Sequence, residues 1–348
     1  MLKVKGRDTD IIYESRIKDL NILNELFASF DLHDVTNTDY TVGIFEDKKL
    51  IGTGSLKGDI LMGIAVDRAQ QGCGISGRIL SHLLKVAVER GIQTLYIFTR
   101  PEKEGAFSSF GFKPVINVPP YAAMLEWGNK PLATFQKRLS EIVFANCPRA
   151  AAIVINANPF TKGHQFLVEK AAGENDFVYV IVVEENISDF PFKVRFDLTQ
   201  KGIAHLNNVK VLSGGKYVVS PFIFPSYFTP KDKLAETHAS VDSELFAKYI
   251  APVLNIKSRY AGTEPYNQEK NIYQEILKER LPEHGISVVE IERATIKDMP
   301  ISASLVRKLI REDNFPEVAE YVPQTTYQFL LSGEAKPIIA KIQSNNET

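Results

Sequence analysis

Five short runs of strand character fill the second half of the chain: "AAAIVINA" (150–157), "FVYVIVVEE" (177–185), "VKVLSG" (209–214), "SRYAGTE" (258–264) and "SVVEIER" (287–293), each separated from the next by stretches of helical character. Strands buried on both faces read as continuous apolar runs, and parallel neighbours need a long crossover between them. The rhythm therefore predicts an α/β domain, a doubly wound parallel sheet over residues 149–331. Sheets of this kind bind ligands beyond the carboxyl ends of their strands. The first run ends in "NPFTKGH", residues 158–164, and this corner has the first claim on chemistry.

Pro159 stops the strand there, and a helix begins near His164. A helix N-terminus presents unpaired N–H groups and partial positive charge, which together favour an anion. Gly163 leaves room for close backbone approach, and Thr161 and His164 are expected to donate hydrogen bonds into the space. The corner reads as a phosphate site without a Walker lysine. Late in the same domain stands "ISASLVR", residues 301–307. Hydroxyls from Ser302 and Ser304 at a helix start, with Arg307 one turn on, make a clamp for phosphate oxygens. Each feature also has a plain structural reading. Thr161 and Ser302 cap helices, His164 is an interior histidine, and Arg307 pairs with Glu312 or Asp313 on its own helix.

Before residue 130 the pattern differs. Residues 40–66 alternate as strands, with a charged turn at Glu46–Lys49. Residues 75–90 place Ile75, Ile79, Leu83, Val86 and Ala87 on one helical face, and "TLYIFTR" is a further strand. Between strand and helix lies "VDRAQQGCGISGRIL", in which Gln71, Gly72, Gly74, Ser76 and Gly77 form a glycine-rich loop. Glycines let backbone N–H groups approach an anion. No acid or base stands out in this half; Tyr96 and Tyr121 read as packing aromatics and Cys73 as a spacer. "GNKP" (128–131) and "NCPR" (146–149) bracket a connecting helix. These breaks divide the chain into a domain over 1–130, a linker over 131–148, the parallel-sheet domain over 149–331 and a polar tail over 332–348.

The 348 residues are enough for two cores, and 44% hydrophobic with 24% charged residues is a soluble, globular profile. A formal net charge of -1 gives no field that favours nucleic acid or an anionic membrane. "MLKVKGRDTD" lacks a signal-peptide core, and no apolar run reaches membrane-spanning length. Cys73 and Cys147 stand far apart, as in a reducing cytoplasm, and the scattered histidines predict no metal site.

The glycine loop, with "FSSFGFKPV" (107–115) after it, resembles the acetyl-coenzyme A loop of the Gcn5-related N-acetyltransferases, whose Gln/Arg-x-x-Gly-x-Gly/Ala carries Ser76 here in place of the usual small residue. That resemblance spans roughly residues 10–127 and implies a mixed-sheet fold. Thr161-Lys162-Gly163-His164 together with Ile301-Ser302-x-Ser304-x-x-Arg307 resembles the nucleotidyltransferase superfamily. This implies catalytic roles for Thr161, His164 and Arg307, and nucleotide contacts for Asn158, Phe160, Gly163, Ser302 and Ser304. It also implies that Gly262 and Glu264 meet the adenosine, and that Arg195, or else Lys193, meets the acceptor. The pairing of the two domains, with "FPSYF" (224–228) and "GTEPYNQEKNIYQEIL", is similar to the citrate lyase ligase family. The resemblance implies a cytoplasmic, AMP-forming acid-thiol ligase using ATP, with Mg²⁺ on the phosphates. It would acetylate, with acetate, the thiol of the prosthetic group on the citrate lyase acyl-carrier subunit. Two alternatives stay open: an adenylyltransferase acting on a nucleotide or phosphopantetheine, and a first domain that only docks a coenzyme A-like group.

Overall fold

The computed structural model describes the chain except residues 1–3, 6–10, 33–34, 36–37, 145–146, 220–223, 225, 264–267, 298 and 345–348. Two compact units emerge: residues 1–134 with 224–237, and residues 135–223 with 238–348.

The first unit is built on an eight-stranded mixed sheet. Its elements are β1 (Val4–Lys5), β2 (Ile11–Ile17), α1 (Asn24–Ala28), β3 (Tyr40–Glu46), β4 (Lys49–Lys57), β5 (Ile60–Val66), α2 (Ile75–Glu89), β6 (Thr94–Thr99), α3 (Gly105–Ser108), β7 (Lys113–Val118) and β8 (Ala122–Gly128). The strands lie in the order β1-β2-β3-β4-β5-β6-β8-β7. Among the described residues only β5 and β6 are parallel, and they pair at Ile60–Tyr96 and Leu61–Ile97 before parting. Helix α2 buries Ile75, Ile79, Leu80, Leu83 and Ala87 against the sheet. It can lie that close because β4 carries glycine where it crosses: a Cβ on Gly52 would stand 2.7 Å from Ile75, and one on Gly54 2.6 Å from Ile79.

A helix α4 (Pro131–Ser140) follows β8, and the division between the units falls within it. The second unit contains β9 (Ala150–Ile155), α5 (Lys162–Glu174), β10 (Phe177–Val182), α6 (Phe192–Gly202) and β11 (Val209–Ser213). Helix α7 (Leu234–Leu245) runs through a π turn into α8 (Ala251–Leu254). Then come β12 (Ile256–Gly262), α9 (Gln268–Glu283), β13 (Ser287–Ile291) and the short ribbon β14 (Thr295–Ile296) and β15 (Met299–Pro300). Helices α10 (Ala303–Arg311), α11 (Phe315–Tyr321), α12 (Gln324–Leu330) and α13 (Lys336–Ser344) complete the unit. The sheet is β11-β10-β9-β12-β13, parallel throughout. Strand order reverses between β9 and β12, so the crevice at the end of β9 is the switch point where such sheets take ligands. Ala151, Ile153 and Ile155 alternate onto one face and share a core with Val178, Val180 and Val182 of β10 and with Leu167, Val168 and Ala171 of α5.

Two expectations need correction. Residues 332–348 do not form a loose polar tail. Within them α13 sets Ile338 and Ile342 into a core with Val306, Leu309 and Ile310 of α10 and Tyr321 of α11. Spacing by four puts both isoleucines on one side of the helix, which lets a segment of mostly polar composition bury a stripe. Residues 224–237 were expected inside the second domain, yet they pack with the first unit. Among the described residues, no helix is long and apolar enough to cross a membrane. Cys73 is exposed and Cys147 buried, both as free thiols.

Ile342 is 1% exposed, and truncating a buried isoleucine to alanine costs about 2–5 kcal/mol. Ile342→Ala should therefore lower the denaturant midpoint of the second unit clearly. An unchanged midpoint would return the segment to the status of a tail.

Candidate active site

Strand β9 stops at Ile155, and Ala157 then turns left-handed (φ 53°) ahead of the cis Asn158–Pro159 peptide. This reverses the chain into α5. Thr161 is the N-cap of that helix and forms a reciprocal box with His164. The Thr161 hydroxyl accepts from the His164 backbone N–H at 3.3 Å, and His164 Nδ1 accepts from the Thr161 backbone N–H at 3.1 Å. An Nδ1 that accepts carries no proton, so the hydrogen-bond network assigns the proton to Nε2. Phe160, fully buried, stacks on the imidazole with centroids 5.6 Å apart. His164 is half-buried, its ring fixed by cap and stack.

The second motif meets the first through Gly163. A Cβ there would stand 3.0 Å from the Ile301 carbonyl oxygen and 3.3 Å from Ile301 Cβ. The expectation that Gly163 makes room for a ligand is thus corrected: the close neighbour is the backbone leading into α10. Ser302 caps that helix, accepting from the Leu305 N–H at 3.1 Å. Arg307 donates through Nη1 to the Asn158 carbonyl at 2.6 Å and pairs through Nε with Asp189 Oδ2 at 3.2 Å. It reaches Ser304 Oγ at 3.5 Å, and among the described residues it pairs with Asp189 rather than with Glu312 or Asp313. Lys162 donates to the carbonyls of Ala319 and Glu320, tying the start of α5 to the end of α11. Two helix N-termini, an Nε2–H donor and a guanidinium therefore converge at the carboxyl end of β9.

Other expected positions divide. Thr161 is 1% exposed and its hydroxyl is turned into the cap, so it orients His164 rather than donating outward. Phe160 belongs to the core, and its carbonyl accepts from the Thr326 hydroxyl at 3.1 Å. Asn158 Oδ1 accepts from the Phe190 N–H at 3.0 Å, which holds the loop after β10 against the corner. Gly262 closes β12, its carbonyl taken by Gln274, and Glu264 lies outside the described residues. Lys193 is exposed on α6. In the first unit Gly72 and Gly74 are left-handed, exposed and open, with no atom within 4 Å of a Cβ built on either. Ser76 is exposed in the first turn of α2, and Gly77 packs against Phe110. Gln71 donates back to the Val66 carbonyl at 3.3 Å.

Arg195 is the clearest correction. Expected to meet the acceptor, it has no exposed surface. It pairs with the buried Glu185 at 3.2 Å and donates to the carbonyls of Phe190, Asn156, Val183 and Glu185 and to Asn156 Oδ1. Burial pulls the guanidinium below its ordinary value, and Glu185 opposes that shift. Its job is to fasten the ends of β9 and β10 to the loop before α6. Sequence reasoning also missed Asp189, Lys162 and Lys341, whose Nζ reaches the Ser188 carbonyl at 3.0 Å. Each is a surface-type residue whose partner is distant in sequence. Among the described residues, no three His, Cys, Asp or Glu side chains gather to hold an ion.

Fold and corner define a chain of two units, an acetyltransferase-type mixed sheet and a doubly wound sheet with a Thr-x-Gly-His helix start. Residues 12–112 match the acetyltransferase (GNAT) family model, and residues 150–330 match the citrate lyase ligase C-terminal domain model. The chain is 36% identical over 289 residues to the citrate (pro-3S)-lyase ligase of Klebsiella pneumoniae, covering 82% of this chain and 84% of that protein. Its counterpart in Escherichia coli (strain K12) is 32% identical, with 86% and 87% covered. The Haemophilus influenzae ligase is 34% identical, with 84% and 88% covered. The chain belongs to the citrate lyase ligase family.

Removing one partner of a buried ion pair costs about 3–5 kcal/mol. Arg195→Ala should therefore lose that much stability, whereas Lys193→Ala, exposed, should change it by less than about 0.5 kcal/mol. Chemical denaturation separates the two. An Arg195→Ala protein of normal stability that fails only with the acceptor would restore the original expectation. A methyl at Gly163 must displace Ile301, so Gly163→Ala should lower both the thermal midpoint and ATP-dependent turnover.

Proposed function

We propose that this chain is an ATP-dependent acetate ligase. It would activate citrate lyase by acetylating the thiol of the prosthetic group on its acyl-carrier subunit, releasing AMP and pyrophosphate. Membership of the citrate lyase ligase family supports the reaction class. The observation that carries the chemistry is the convergence of His164, Arg307 and the starts of α5 and α10 at the switch point.

In this reading acetate attacks the α-phosphorus of ATP in line with departing pyrophosphate. Positioning and electrostatic stabilisation do the work, and no protein nucleophile is needed. The Nε2–H of His164 donates to an α-phosphate oxygen as charge builds there. Thr161 and Phe160 hold the ring at that angle. Backbone N–H groups at the starts of α5 and α10, with Arg307 and Ser304, take the pyrophosphate. Asp189 is already paired with Arg307, so the donors present suit a Mg²⁺ held by the nucleotide's own phosphates, which would neutralise part of their charge. Gly262, which closes β12, would meet the adenosine together with Glu264, as the resemblance implies. The carrier thiolate then attacks the acetyl carbon of acetyl-adenylate, and AMP leaves. Two free thiols support a cytoplasmic enzyme.

A glutamine at the third helical position can keep the capping box while losing the imidazole. His164→Gln should therefore fold normally yet turn over about a hundred- to thousandfold more slowly, the usual cost of one preorganised donor. Normal turnover would take His164 out of the mechanism. The reaction itself is tested with ATP, acetate and hydroxylamine, which should yield acetohydroxamate and AMP. Labelled AMP found joined to a nucleotide or phosphopantetheine, without acetate dependence, would establish an adenylyltransferase instead.

A further inference from the structure

The parting of β5 and β6 leaves backbone groups on both strands without a ladder partner from the other. Beyond Leu61–Ile97 the two parallel strands diverge toward Val66, the end from which the glycine loop departs. Gly63, left-handed at φ 61°, marks the divergence; a Cβ there would stand 3.0 Å from Val35 and 3.2 Å from Phe27. A gap between parallel strands suits an extended, amide-bearing chain, which pairs as an added strand would. The arm of a coenzyme A-like group, which carries amides and ends in a thiol, has that chemistry.

The gap already has an occupant. Tyr227 donates through its hydroxyl to the Phe98 carbonyl of β6 at 3.1 Å. The backbone amide of Gly63 on β5 faces the same hydroxyl, and burial pushes the phenol far above its ordinary value, so the proton stays on oxygen and is available to donate. Phe224 meets the Phe98 ring edge-on at 5.5 Å, and Phe228 packs against both Phe224 and Tyr227. Phe224, Tyr227 and Phe228 are each less than a tenth exposed. Further along, Glu236 accepts from the Tyr121 hydroxyl at 2.8 Å and holds the stretch to the turn between β7 and β8. These residues come from the one stretch of the chain that leaves its sequence neighbours to join the first unit.

We propose that Phe224, Tyr227 and Phe228 fill the β5–β6 gap in cis, so that the first unit admits the arm of a coenzyme A-like group only when Tyr227 withdraws. Tyr227 spans the two strands as the arm would. In this state the unit has no place for a thioester arm and transfers no acetyl group, even though the loop at Gly72–Gly74 stays open. Entry of the arm and release of the stretch containing Tyr227 are then one event, and the apparent affinity falls by the fraction of molecules with the gap open.

The probe is coenzyme A, titrated calorimetrically into the full chain, with adenosine 3′,5′-bisphosphate as the armless control. Tyr227→Ala should bind coenzyme A at least about tenfold more tightly than the wild type, since an open gap removes the population penalty. Tyr227→Phe keeps the ring and loses only the bridge, which corresponds to about a threefold gain. It carries the test if the alanine variant does not fold. The armless control should show no difference between the variants and the wild type. Coenzyme A affinity that is unchanged in a folded variant, or weakened by the loss of Tyr227, would overturn the proposal. Because this readout uses neither ATP nor acetate, it fails or succeeds independently of the ligase assignment.

Discussion

The second unit depends on one close approach, that of Gly163 to the backbone at Ile301. Without a side chain at 163, the start of α5 and the strand leading into α10 come within van der Waals contact. Arg307 then completes the junction, reaching across 149 residues of sequence to the Asn158 carbonyl. A charged donor on a carbonyl makes a strong tie. Here the tie also sets the distance between the two helix N-termini that would share a triphosphate. The glycine acts by letting two pieces of protein meet.

Around that junction the polar groups act as struts. Arg195 distributes its N–H groups over the ends of β9 and β10 and the loop before α6. Fully desolvating an ion pair is costly, and it is tolerated where the remaining donors are satisfied, as they are here. The gain is a rigid crevice: Asn156, Asn158, Glu185 and Phe190 are held by hydrogen bonds rather than by loop packing alone. Lys162 does the same from the start of α5, and Lys341 from α13, so the segment after residue 331 supports the corner as well as its own core. Preorganisation of this kind is what charge stabilisation in phosphoryl chemistry requires.

In the first unit, fold and activity are separate questions. Its sheet, its splayed strand pair and its open glycine loop are those of an acetyltransferase. The splay is nonetheless closed by aromatic side chains from residues 224–228, and Tyr121 is engaged with Glu236.

What the sequence by itself determined was local. Short runs of strand character located all five parallel strands of the second unit to within about three residues at their ends, most clearly at β9 and β10, where burial on both faces leaves little freedom of composition. Helix-period spacing located α2, and the hydroxyls of Thr161 and Ser302, read there as possible caps, do cap α5 and α10, with α5 beginning two residues before the expected His164. Only the tertiary structure decided which charged side chains face a ligand. Arg195 and Lys193 are neighbours on one helix, and a turn of about 100° per residue buries one and exposes the other. Sequence composition could not reveal that Ile338 and Ile342 had a core to enter, since that core is assembled from α10 and α11. Nor could it reveal that Tyr227 would bridge two strands more than a hundred residues earlier. Pairings of that kind are set by which surfaces the folded units leave uncovered, and no local pattern encodes them.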